Sequence, residues 1–196
     1  MNEIALFFNN LDFNWSVIES LAVLFSVTYV VLAAKHNNLC WFFSIISVLL
    51  YIYICFTAEL YSETVLQIFY LFMSFYGLYY WKKDKVKSSI MQWSVNKNLL
   101  FILIGAIFTF IMGFYFTIYT SAKMPIIDSF TTIFSIIATF MVAKKILENW
   151  LYWIIIDLTS IYIYFSRDLH LTSLLFLIYT VIAVFGYIKW TREINA

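Results

Sequence analysis

The 196-residue chain is 64% hydrophobic and only 12% charged, with a mean hydropathy of +0.88. Soluble domains average about 45–50% apolar and about 25% charged residues, so a water-soluble globular domain is excluded and an integral membrane protein is expected. The formal net charge is +1, and no basic run interleaved with polar residues exists outside one loop, so the chain carries no footprint for nucleic acid.

Residues 1–19 contain Glu3, Asp12 and Glu19 rather than a basic leader, so no cleavable signal is expected and the first hydrophobic segment stays in place. Seven apolar segments then follow at 20–34, 40–57, 63–81, 99–120, 127–143, 149–166 and 171–189. Each is near the roughly 17–25 residues that cross a bilayer, the first and fifth being short. Continuous apolarity excludes a barrel, and helices alone satisfy their own backbone in lipid. The expectation is therefore an all-α membrane protein with seven transmembrane helices. Cys40 and Cys55 share the second segment without metal-ligand spacing and read as small buried hydrophobes. Residues 82–98 form the one substantial polar stretch. Pro125 precedes the fifth segment, where a missing N–H costs least.

Positive charge sets the orientation. With the N-terminus on one side, the opposite side receives Lys35, Lys82, Lys83, Lys85, Lys87, Lys97, Lys144, Lys145, Lys189 and Arg192, leaving only Lys123 and Arg167 on the first. This places the C-terminus in the cytoplasm and the N-terminal segment outside. Glu3, Asp12, Glu19, Glu59, Glu63, Asp128 and Asp168 then fall on the outer side, either as ordinary solvated residues or as a weak attractor of cations.

An ungapped shift of 109 positions superposes residues 21–81 on 130–190. Phe25-Ser26 meets Phe134-Ser135, Lys35 meets Lys144, Trp41 meets Trp150, Tyr70 meets Tyr179, Gly77 meets Gly186 and Trp81 meets Trp190. Two three-helix units (20–81 and 127–190) are thus separated by a linking helix (99–120), a 3+1+3 plan. The first and fifth helices are four crossings apart, so the repeats are parallel, with a substrate site expected near the midplane where they face.

Asp157 is the one carboxylate in the middle of an apolar segment. A carboxylate at that depth costs about 3 kcal/mol on insertion scales and marks a functional site by default. Helical spacing puts Trp150, Trp153, Asp157, Ser160 and Tyr164 on one stripe, and Trp41, Ser44, Val48, Tyr51 and Cys55 on the corresponding stripe of the second helix. Gln67 and Tyr70 on the third helix, and Ser173 and Tyr179 on the seventh, are the facing candidates. Against these stand plainer readings: interfacial anchoring for the tryptophans, a locally satisfied carboxylate for Asp157, and packing for Gly105 and Gly113. His36 and His170 lie at segment ends, so no buried Ser–His pair exists. Neither a mid-membrane Lys for a retinal Schiff base, nor a metal-ligand cluster, nor a phosphate-cradling loop is present. No enzyme activity and no cofactor are expected. A carrier and a non-transporting receptor or structural membrane protein remain.

The W-x-x-W-x-x-x-D run at Trp150–Trp153–Asp157, the L-Y-x-E-x-x-L-Q run at 60–67, the repeated G-x-x-x-W at 77–81 and 186–190, and the helix plan resemble the SWEET-like Pnu-type vitamin transporters over nearly the whole chain. The resemblance implies uptake by facilitated diffusion in the bacterial inner membrane, trapping by a cytoplasmic vitamin kinase, and a homotrimer. It also implies that the family's nicotinamide riboside carriers (PnuC) hold Asn at the position of Asp157 and its thiamine carriers (PnuT) hold Asp. On that residue thiamine is the expected substrate, with nicotinamide riboside the alternative. Both ligands are flat cations, suited to Trp faces and a carboxylate.

Overall fold

A computed structural model of the chain describes residues 17–58, 60–83 and 90–195. The segment before residue 17, with Glu3 and Asp12, lies outside the described residues, as do Glu59, Lys85 and Lys87. The described residues form seven helices: α1 (Val17–Ala34), α2 (Cys40–Thr57), α3 (Tyr61–Lys83), α4 (Val95–Tyr119), α5 (Pro125–Ala143), α6 (Asn149–Phe165) and α7 (His170–Ile194). Five of them (α1, α2, α4, α5 and α7) are long and apolar enough to cross a membrane. The other two differ for local reasons. α6 has 17 residues and spends its polar positions on a buried face. α3 is longer but carries Glu63 in its first turn and Lys82 and Lys83 in its last.

Two boundaries depart most from the sequence expectation. α4 starts at Val95, not 99, because the Ser94 hydroxyl caps the helix by accepting from the Lys97 N–H. The Lys97 ammonium lies 4.5 Å from the centroid of the Trp93 ring, which keeps the charged first turn helical. With α3 running to Lys83, the polar stretch expected at 82–98 is shorter than its composition implied. α7 continues past 189 to Ile194, held by the fully buried Trp190 and by Lys189 and Glu193 one turn apart.

The turns α1–α2 and α5–α6 are closed alike. His36 (φ 53°) and Lys145 (φ 56°) occupy the left-handed region, and each turn is pinned by a six-to-one backbone bond: Asn37 N–H to Leu32 C=O, and Ile146 N–H to Met141 C=O, both 2.9 Å. A non-glycine residue there costs roughly 1–2 kcal/mol, which the surrounding packing offsets. Residues 90–94 strap this end of the bundle. Met91 N–H donates to Lys145 C=O, Leu147 N–H donates to Met91 C=O, and Trp93 N–H donates to the Glu148 carboxylate.

The main core lies at the same end. Trp41, Trp81, Trp150 and Trp190 are each at most 2% exposed and pack edge-to-face in pairs, Trp41 on Trp81 and Trp150 on Trp190. Gly77 backs the Trp41 ring and Gly186 backs the Trp150 ring, where an added Cβ would stand only 2.7 Å from the indole. Two indole N–H groups cross between helices that are distant in sequence: Trp81 to Ala143 C=O and Trp190 to Ala33 C=O, both 3.2 Å. A second core cluster joins Phe134, Ala138, Met141, Ile146, Tyr152 and Ile156.

α4 packs along α5 through Gly105, Thr109 and Gly113, one small residue per turn or so, as expected for packing glycines. A Cβ at Gly113 would sit 2.8 Å from the Ile126 backbone. The rest of α4 exposes Leu103, Phe110, Phe114 and their neighbours, a surface suited to lipid.

Candidate functional site

Helix order gathers most of the described basic residues at one end. That end carries Lys35, Lys82, Lys83, Lys97, Lys144, Lys145, Lys189 and Arg192 with Glu148 and Glu193; the other carries Glu19, Glu63, Asp128 and Asp168 with Lys123 and Arg167. At the acidic end, Arg167 grips Asp128 through two bonds of 2.7 and 2.9 Å, joining the α6–α7 turn to the first turn of α5.

Between these ends α6 turns Asp157 into the bundle, where it is 3% exposed. Among the described residues no salt bridge reaches it; the acid–base contacts are His36–Glu193, Asp128–Arg167 and Lys189–Glu193, all near helix ends. An uncompensated carboxylate at this depth favours a bound cation. Tyr179 of α7 is half-buried and meets the Ser26 hydroxyl of α1. Tyr164 lies two turns along α6 from Asp157 and is half-buried. Its ring stacks on Phe176 at 5.2 Å, and Phe176 in turn meets Tyr179 edge-on.

The tyrosines are held by serines from distant helices. Ser26 of α1 shares a hydrogen bond with the Tyr179 hydroxyl, and Ser135 of α5 lies by Tyr70. The two Ser–Tyr pairs stand 109 positions apart in both members, one joining α1 to α7 and the other α5 to α3. Ser26, Ser135 and Phe176 were not among the residues chosen from the sequence. The recurrence of Phe-Ser at 25–26 and 134–135 was the signal that could have found the two serines.

Of the residues expected at the site, Asp157 is buried and Tyr51, Tyr70, Tyr164 and Tyr179 are half-buried, with Tyr164 and Tyr179 both packed on Phe176. Ser160 is buried on the same helix one turn beyond Asp157. Trp153, half-buried, touches both core clusters. Gln67 is half-buried one turn before Tyr70. Ser173 donates to Ile161 C=O, and Ser44 pairs with Ser74 at 2.7 Å. Trp41 and Trp150 lie toward the basic end in the tryptophan cluster, Trp150 about 10 Å along the helix axis from Asp157. Their indole N–H groups are buried without an acceptor among the described residues, unlike those of Trp81 and Trp190. Cys40 and Cys55 are free and buried, as expected.

An all-helical bundle with five helices long and apolar enough to cross a membrane, and a buried carboxylate between its ends, fits the class of multi-pass membrane proteins. The model of the "Nicotinamide mononucleotide transporter" family matches residues 16–192, and the chain belongs to that family. The nicotinamide riboside transporter PnuC of Escherichia coli (strain K12) is 26% identical over 210 residues, spanning 93% of this chain and 87% of the relative. PnuC of Neisseria mucosa is 26% identical over 197 residues, spanning 92% and 74%. The crystal structure of the vitamin B3 transporter PnuC superposes with a TM-score of 0.75 at 24% identity, over 99% of this chain and 87% of that one, and shares the fold. These relatives are transporters, not enzymes, and the same holds for this chain. Their names carry nicotinamide riboside, the alternative of the sequence reading, rather than thiamine.

Proposed function

We propose that the chain carries a flat, cationic vitamin across the bacterial inner membrane by facilitated diffusion, with nicotinamide riboside as the substrate. The observation that carries the cation is Asp157, buried without a salt-bridge partner among the described residues. The nicotinamide riboside transporters that the chain matches over more than nine-tenths of its length support the choice of ligand. Asp157 and Trp153 form the recognition core, with Tyr70, Tyr179, Tyr164, Tyr51, Gln67 and Ser160 around it and the indoles of Trp150 and Trp41 toward the basic end. Thiamine is the second reading. It is favoured by a carboxylate at a position where the resemblance to Pnu-type carriers implies Asn for nicotinamide riboside.

Alternating access follows from a 3+1+3 arrangement of parallel repeats, α1–α3 and α5–α7, linked by α4. Supporting it are features that recur at the 109-residue offset: the left-handed turns at His36 and Lys145, the Gly77–Trp41 and Gly186–Trp150 packings, and the two Ser–Tyr pairs. The excess of Lys and Arg at one end supports a cytoplasmic C-terminus and a periplasmic N-terminus. A homotrimer and trapping by a cytoplasmic kinase complete the proposal. Titration of the purified protein with nicotinamide riboside and thiamine side by side, read by Trp fluorescence, tests it. Saturable binding of nicotinamide riboside is expected, and binding of neither ligand would overturn the reading. In liposomes without a kinase, labelled substrate should equilibrate and not accumulate.

A further inference from the structure

A groove of about 380 Å³ opens between the basic halves of α1 and α7. Its walls are Val31, Ala34, Ile182, Phe185 and Ile188, and its rim is Lys35, Lys189 and Arg192. The walls face outward: Phe185 is 64% exposed and Ile188 41%. In a bilayer that surface meets acyl chains, while the rim lies at headgroup depth.

The charge arrangement is unusual when set beside the seam between α3 and α5. There Lys144, 109 positions after Lys35, lies over the rings of Tyr76 and Tyr80 at 5.1 and 4.4 Å. The positions 109 after those tyrosines are Phe185 and Lys189. The groove has thus exchanged an aromatic partner for a second lysine, and Arg192 adds a third cation. Among the described residues the carboxylate recorded at the rim, Glu193, is shared: one oxygen meets His36 Nδ1 at 2.9 Å and the other lies 3.9 Å from Lys189. Three cations against one divided carboxylate repel one another unless an anion joins them.

From this we infer that the α1–α7 groove is a binding site for an anionic phospholipid, its phosphate held by Lys35, Lys189 and Arg192 and an acyl chain laid against Val31, Ile182 and Phe185. Basic pockets between membrane helices, with apolar walls continuing into the hydrocarbon, suit such lipids. The site is independent of which vitamin is carried. It lies where α1 meets α7, so an occupied groove would bind the two three-helix units together.

The test extracts the full chain from vesicles of phosphatidylcholine mixed with phosphatidylglycerol and counts retained lipid by native mass spectrometry. Phosphatidylglycerol should stay bound. Replacing Lys35, Lys189 and Arg192 together by Gln should weaken it about 100-fold, the equivalent of about 1 kcal/mol per cation near an anionic lipid. A control with Lys82, Lys83 and Lys97 replaced by Gln removes the same charge from the same end and should retain the lipid. Val31→Phe, which fills the groove without touching charge, should also release it. Vitamin titration of each variant reports whether the fold persists. Equal retention by the groove and control variants would overturn the proposal. So would displacement by inorganic phosphate alone, which marks a soluble-anion site, or efficient Phe185→Cys cross-linking between chains, which marks a second copy in the groove.

Discussion

Replacing Asp157 by Asn preserves shape and one acceptor while removing the charge. The carboxyl group is 3% exposed and lacks a salt-bridge partner among the described residues, so under the proposed function it is the ligand, and not a structural cation, that would meet it. A hydrogen bond to a charged group contributes about 1.5–3 kcal/mol, so thiamine, whose cation or amino group would meet the carboxylate, should lose about 10- to 150-fold in affinity. Nicotinamide riboside loses the same attraction but gains an amide partner for its carboxamide, so its affinity should hold or rise. The ligand-free variant should be no less stable than the parent, because the ~3 kcal/mol cost of a carboxylate at helix centre is partly lifted. A structural ion pair would behave oppositely, breaking with a cost of about 3–5 kcal/mol. The assay is a paired Trp-fluorescence titration with thermal unfolding of the ligand-free protein. If both affinities stay within about a factor of two of the parent, a change well below 1 kcal/mol, Asp157 is not the recognition element and the argument fails.

Gly186→Ala places a Cβ 2.7 Å from the fully packed Trp150 ring, and the resulting overpacking should cost about 1–3 kcal/mol in thermal unfolding, whereas a neutral result would mean the tryptophan cluster is loose. Tyr179→Phe removes the bond to Ser26 and should cost about 0.5–1.5 kcal/mol, and in a double-mutant cycle Ser26→Ala should add little to it. Burial holds the His36 pKa below its ordinary value, outweighing the opposing bond to Glu193, so the folded state prefers the neutral ring. The unfolded chain then binds more protons, and stability should be full above about pH 6.5 and fall as the pH drops below it, a slope that His36→Gln should flatten in unfolding scans. Lys35→Ala should change vitamin affinity by less than about twofold, because Lys35 lines the outer groove, whereas a larger change would place it on the substrate path.

Hydrophobic length alone determined that the chain spans a membrane as helices, because the bilayer sets the span and forbids unpaired backbone. The offset of 109 residues and the depth of Asp157 were legible for the same reason: covalent order, span length and helical period are one-dimensional quantities. Convergence was not legible. That Ser26 meets Tyr179 and that Ser135 lies by Tyr70 depends on which helices adjoin across the bundle, and residues on helices so far apart in the chain carry no periodic mark of contact. Trp41 and Trp150 shared a stripe with the site residues, yet Gly77 and Gly186 leave hollows that only those rings fill, which draws them into the packed basic end. The early start of α4 turned on a serine cap and a lysine over a tryptophan, local geometry too fine for a hydropathy pattern. Lys35, Lys189 and Arg192 read in sequence as ordinary flanking charges. Only the packing of α1 against α7 sets the three around one groove, because Coulomb repulsion depends on separation in space and not along the chain.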